Sequence, residues 1–174
     1  HGNFGDDLNP WLWPKLFGVS LDSCFDAETL FVGIGSLINH RIPQAPPKKV
    51  VFGTGCGYGD PPPITPAWRF HCVRGPLTAR LLNLSARTAL GDGAMLVREL
   101  MEPASRPEFD VAYMPHHESA DHDDWRTVCD SLGVRYVDPA APVVDTLEVI
   151  RRSALMVTES MHGAGSPQAQ RIMI

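Results

Sequence analysis

The chain has 174 residues, with 15 Lys plus Arg against 20 Asp plus Glu and a formal charge of −5. That length suits one domain, or one domain plus part of a second. A composition of 44% hydrophobic and 20% charged residues is that of a soluble globular protein. The mild acidity argues against nucleic acid as the main partner, because a phosphate-backbone binder needs a net basic face. No apolar run approaches the ~18–20 residues that span a bilayer.

With 15 Gly and 16 Pro the chain is rich in loops without being collagenous or disordered. Its four cysteines, Cys24, Cys56, Cys72 and Cys129, form no C-x-x-C pair and match no common zinc spacing. They read as free thiols of a reducing compartment. Residue 1 is His and not Met.

In chain order, residues 2–7 (GNFGDD) read as a polar Gly-rich turn. A short helix follows in PWLWPKLFG, capped by Asp7 or Asn9, with Pro10 near its first turn. Residues 29–35 (TLFVGIG) and 49–55 (KVVFGTG) are continuous apolar runs ending in Gly, the pattern of buried parallel strands. Residues 68–73 (WRFHCV) predict a third strand, and a helix starts at Pro76. EPASRP (102–107) reads as a linker.

Strands are then expected at 109–117, 134–139 and 154–159. Helices are expected at 123–133, with Trp125, Val128, Cys129 and Leu132 on its inner face, and at 144–153, capped by Asp145. Strand–helix alternation implies right-handed crossovers and parallel sheets. The fold class is therefore α/β, with two Rossmann-like units joined near 102–108. Residues 1–105 form the first and 106–174 the start of the second. No strand precedes the first loop and none is expected after 154–159, so the sequence reads as a fragment with the second unit incomplete.

Ligands in open α/β sheets bind at the carboxyl ends of strands. Five polar clusters fall there: GSLINH, GTGCGYGD, VRGPLT, PHHES and ESMHGA. Their convergence points to an active-site cleft between the two units. His162 stands at a helix start, able to act as general acid or base near neutral pH. It is equally placed to cap that helix. Arg74 offers a planar fork for carboxylate or phosphate, or a surface salt bridge. HHESADHDD suggests metal ligands, but adjacent histidines rarely share one ion, so a polar loop capped by Asp123 or Asp124 is the preferred reading. GTGCGYG lacks the Gly-Lys-Ser/Thr ending of a Walker loop.

In order, GNFGDDLNPWLW, FVGIGSLI, VFGTGCG, RGPLTARLL, LGDGAMLV, YMPHHES and VTESMHGA resemble the polysaccharide pyruvyl transferase family, most closely its exopolysaccharide (succinoglycan-type) branch. The resemblance runs from about residue 2 to about residue 164. It implies two Rossmann-like lobes of GT-B-like architecture. It also implies transfer of a pyruvyl group from phosphoenolpyruvate onto two sugar hydroxyls as a cyclic ketal, with release of phosphate.

The family's Arg-Gly/Asp-x-x-Ser/Thr motif matches Arg74, Gly75 and Thr78, and its late histidine matches His162. The basic residue often found two positions before that histidine is Ser160 here, which leaves Arg74 to carry more of the donor anion. On this reading His162 is catalytic, assisted by Glu159 or His116. Arg74, Gly75, Thr78 and Gly163 bind the donor, and Asn3, Asp6 and Asp7 bind acceptor hydroxyls. No metal ligand is assigned, and no cofactor is expected beyond phosphoenolpyruvate as co-substrate. The acceptor is a glycan or lipid-linked oligosaccharide, and the location is cytoplasmic, with peripheral association to the membrane face. The alternatives are a GT-B glycosyltransferase using a nucleotide sugar and an inactive fragment or structural partner.

Overall fold

A computed structural model describes residues 3–165 and 171–173. His1 lies outside the described residues. The chain divides into two compact units, Leu12–Ala94 and His1–Trp11 together with Met95–Ile174. The expected join at 102–108 falls within the second of these.

Helix α1, Phe4–Phe17, starts well before the expected position, and residues 4–7 of the expected turn are helical. Asn3 caps it: Gly5 N–H donates to Asn3 Oδ1 at 3.0 Å. Asp6 and Asp7 fall in the first turn, where carboxylates favour the positive end of the helix dipole. Pro10 sits inside the helix and cannot donate to the carbonyl of Asp6. Asn9 Nδ2 donates to that carbonyl instead, at 3.4 Å. A side-chain amide thus replaces the missing backbone bond and lets the helix run through a proline.

In the Leu12–Ala94 unit a short helix α2, Leu21–Cys24, leads to three parallel strands. These are β1 (Thr29–Val32), β2 (Lys48–Phe52) and β3 (Trp68–Cys72), hydrogen-bonded in that order. The crossovers between them are irregular and proline-rich instead of helical, which accounts for much of the Gly and Pro content. Val32, Ile38, Ile42, Val51, Val73, Ala79 and Leu82 form one core cluster. Trp13 stands edge-on to Phe31 and Phe52, with centroids at 5.1 and 5.4 Å. Lys49 is buried, and its Nζ donates to the carbonyls of Gln44 and Pro46. Helix α3, Pro76–Leu81, begins at the expected proline.

The other unit carries β4 (Phe109–Met114), α4 (Trp125–Ser131), β5 (Arg135–Tyr136), α5 (Val143–Arg151), β6 (Ser153–Thr158), α6 (Met161–Gly165) and β7 (Arg171–Met173). The sheet order is β5-β4-β6-β7, all parallel. The two sheets establish the α/β, Rossmann-like class. The expectation that no strand follows 154–159 is overturned. Leu155, Met156 and Val157 pair with Arg171, Ile172 and Met173, so the chain returns as a parallel strand after α6.

Two helix details also differ. In α4 only Cys129 is buried, while Val128 and Leu132 are exposed beside an apolar depression lined by Val111, Tyr113 and Val157. Asp124 caps α4, accepting from Thr127 N–H at 3.2 Å. Asp145 does not cap α5: it lies in the first turn, after Pro142 at the cap. Among the described residues no helix is long and apolar enough to cross a membrane.

Candidate functional site

The order β5-β4-β6-β7 has a reversal built in. The chain leaves β4 to add β5 on one side, then returns to add β6 on the other. The carboxyl ends of β4 and β6 therefore flank a topological switch point, the place where open α/β sheets bind ligands. PHHES follows β4 and ESMHGA follows β6.

Glu159 ties these ends together. Its N–H donates to Met114 O at 3.1 Å. Its carboxylate accepts from His116 N–H at 2.9 Å, from Tyr113 Oη at 3.2 Å, and from Ser119 Oγ. These donors hold its pKa below the ordinary glutamate value, with the Ser119 bond the largest cause. The carboxylate is thus ionised and engaged, an anchor for the 115–119 loop more than a proton carrier. Burial first, and the Glu159 charge second, push Tyr113 up to about 12, so it stays a donor. His116 Nδ1 accepts from Glu118 N–H at 3.3 Å, which leaves the proton of the neutral ring on Nε2.

The ESMHGA turn is fixed from within. Ser160 N–H donates to Thr158 Oγ1 at 2.8 Å, and Ser160 Oγ accepts from Gly163 N–H at 3.3 Å as the cap of α6. Gly163 packs on the Met114 methyl with no space for a Cβ. Its amide is thus engaged by the cap. His162 extends from this turn towards α1, where the imidazole lies against Gly5. Asn3, Asp6 and Asp7 belong to the same unit. Asn3 caps α1, Asp6 is exposed, and Asp7 lies in the first helical turn.

Arg74, Gly75 and Thr78 belong to the Leu12–Ala94 unit. Arg74 follows β3, and its N–H donates to Thr54 O at 2.8 Å. Its guanidinium lies on Gly55, where a Cβ would stand 2.7 Å from Nη2, and Nη1 reaches Gly35 O at 3.5 Å. Thr54 Oγ1 donates to the same carbonyl at 2.8 Å. Among the described residues Arg74 forms no ion pair with a carboxylate, unlike Arg151 and Arg152, which pair with Glu148 and Glu108. The salt-bridge reading of Arg74 is therefore not met.

Thr78 is buried and its Oγ1 accepts from Cys56 N–H at 3.2 Å, pinning the loop after β2. Gly75 has extended backbone and open space around its Cβ position, so the fold does not demand glycine there. Burial pushes the Cys56 thiol up, with Arg74 opposing, so it is no ready nucleophile. Among the described residues no group of three or more His, Cys, Asp or Glu is placed to hold a metal ion.

The sequence did not point to Gly5, Tyr113 or Ser119. Ser119 was visible only as part of a polar loop, and Gly5 only as part of an expected turn. Their partners are far away in sequence, so local pattern carried no signal.

The chain is 38% identical over 175 residues to the succinoglycan biosynthesis protein ExoV of Rhizobium meliloti (strain 1021), across 99% of its own length. That likeness is to a protein of succinoglycan biosynthesis. It spans 55%, about half, of the length of that curated relative. No family model matches the chain, and no solved structure matches it.

Proposed function

We propose that this chain belongs with the exopolysaccharide pyruvyl transferases and moves a pyruvyl group from phosphoenolpyruvate to two hydroxyls of a sugar as a cyclic ketal. The carrying observation is Arg74: a guanidinium seated on Gly55 at the carboxyl rim of a parallel sheet, with no carboxylate partner among the described residues. A donor with one phosphate and one carboxylate suits such a fork. The relative's place in succinoglycan biosynthesis supports a glycan as acceptor, and we propose a glycan or lipid-linked oligosaccharide.

In this mechanism His162 protonates the methylene carbon of phosphoenolpyruvate, leaving an oxocarbenium-like centre at C2. A first sugar hydroxyl adds to C2 and gives its proton back to the imidazole. The C2–O bond to phosphate then breaks, and the second hydroxyl adds and closes the ring. Its proton leaves with phosphate. Glu159 positions His116 beside this chemistry, and Asp6 and Asp7 accept from sugar hydroxyls. Four free cysteines suit a reducing compartment, and we place the reaction in the cytoplasm, with peripheral membrane association through the acceptor.

The test follows phosphate release from phosphoenolpyruvate with depyruvylated succinoglycan oligosaccharide present. Arg74→Lys raises the donor KM, because an ammonium cannot reproduce the bidentate fork, and His162→Ala abolishes release. An unchanged rate in His162→Ala sinks the assignment. Release of nucleotide from a nucleotide sugar, with none of phosphate, would favour a glycosyltransferase.

A further inference from the structure

Tyr58 combines two costs that folding alone does not explain. The residue is 69% exposed, and its backbone has φ 60°, a left-handed conformation that is strained for a bulky residue. It lies in GTGCGYGD, the loop at the carboxyl end of β2. It stands three residues after Gly55, on which the Arg74 guanidinium rests.

The loop that carries it is firmly held. Gly55 N–H donates to Gly35 O at 3.0 Å, and Ile38 N–H returns to Gly55 O at 3.2 Å. Cys56 N–H is bound to Thr78 Oγ1. Gly57 and Gly59 lack the Cβ atoms that would meet Ser36 and His40, each 2.8 Å away, so the 36–40 loop closes on both sides of Tyr58. The segment is thus pinned while its one aromatic ring is turned to solvent. Exposed His40 and Asp60 lie beside it.

We infer that Tyr58 is a stacking platform for a pyranose ring of the acceptor glycan. One face of a pyranose presents a patch of C–H groups that fits the electron-rich face of an aromatic ring. His40 and Asp60 then face the ring's hydroxyls. A rigid platform fixes the sugar without ordering a loop on binding. The assignment rests on the pyruvyl-transfer reading for the identity of the ligand as acceptor. It goes beyond that reading by naming the residue that holds the sugar.

The test uses the full-length protein with Tyr58→Gly, Tyr58→Phe and Tyr58→Trp. Glycine suits φ 60° without strain, so Tyr58→Gly folds and melts at or above the parent temperature. Calorimetry measures binding of depyruvylated succinoglycan oligosaccharide, and phosphate release gives separate KM values for acceptor and donor. The inference expects Tyr58→Gly to weaken oligosaccharide binding and raise acceptor KM about tenfold, the effect of roughly one aromatic contact. Donor KM stays put, and Phe and Trp retain binding. A Tyr58→Gly protein that is more stable and binds the oligosaccharide as well as the parent overturns the inference, as does a change confined to donor KM. Binding needs no turnover, so Tyr58-dependent binding without phosphate release would fail the pyruvyl-transfer reading alone.

Discussion

Gly5 and His162 fit together as a socket and its occupant. Gly5 is in the first turn of α1, and the His162 imidazole occupies the space where its Cβ would stand. The first motif of the chain thus positions the last, across more than 150 residues of sequence.

A Gly→Ala change in a helix ordinarily stabilises by about 1 kcal/mol. Gly5→Ala is expected to lose that gain, because the methyl must displace the imidazole. Under the proposed function, pyruvyl transfer is expected to fall on the order of 100-fold, the penalty of misplacing a reacting group by about 1 Å. Thermal melts and steady-state rates check both. A stabilised, fully active Gly5→Ala protein would show that His162 does not depend on this seat.

Glu159 makes stability pH-dependent. Its folded pKa is lowered. Its contribution is therefore present above the ordinary glutamate pKa and is lost as pH falls through the lowered value. Glu159→Gln is expected to cost on the order of 1 kcal/mol at pH 7, modest because the carboxylate is exposed to solvent. The difference from the parent should shrink in acid. Urea unfolding at both pH values measures it, and a gap that widens in acid would contradict this account of the anchor.

Tyr113 ionises late, at about 12. Its contribution is present below the unfolded tyrosine pKa of about 10 and fades as pH rises through the folded value. Ultraviolet titration should show one late tyrosinate transition in the parent that is missing from Tyr113→Phe and shifted to lower pH in Glu159→Gln. An unshifted transition in Glu159→Gln would remove the carboxylate as a cause.

Asn3 serves the helix through its side chain. Asn3→Ala is expected to destabilise by about 1 kcal/mol, and Asn3→Asp to retain the cap. If both lose acceptor binding with stability intact, Asn3 acts on the sugar instead.

The strands were legible because continuous runs such as TLFV and ALMVT end at glycine or at polar motifs, and the switch-point motifs fell at their ends. The start of α1 was not legible. Pro10 argues locally against helix, and the Asn9 amide that repairs the bond, three residues along the same helix, depends on a side-chain rotamer that residue pattern does not carry. The inner face of α4 differs because periodicity gives a face but not what covers it, and Val128 and Leu132 stay exposed. Thr78 matched a family motif, yet its hydroxyl accepts from Cys56 N–H, a contact 22 residues away that spacing cannot show.

The most direct measurement of the central claim is mass spectrometry of depyruvylated succinoglycan oligosaccharide incubated with the protein and phosphoenolpyruvate. The account predicts a product heavier by one pyruvate less one water, one phosphate released per ketal, and neither with His162→Ala. Phosphate released without that product, or the product formed equally by His162→Ala, would contradict it.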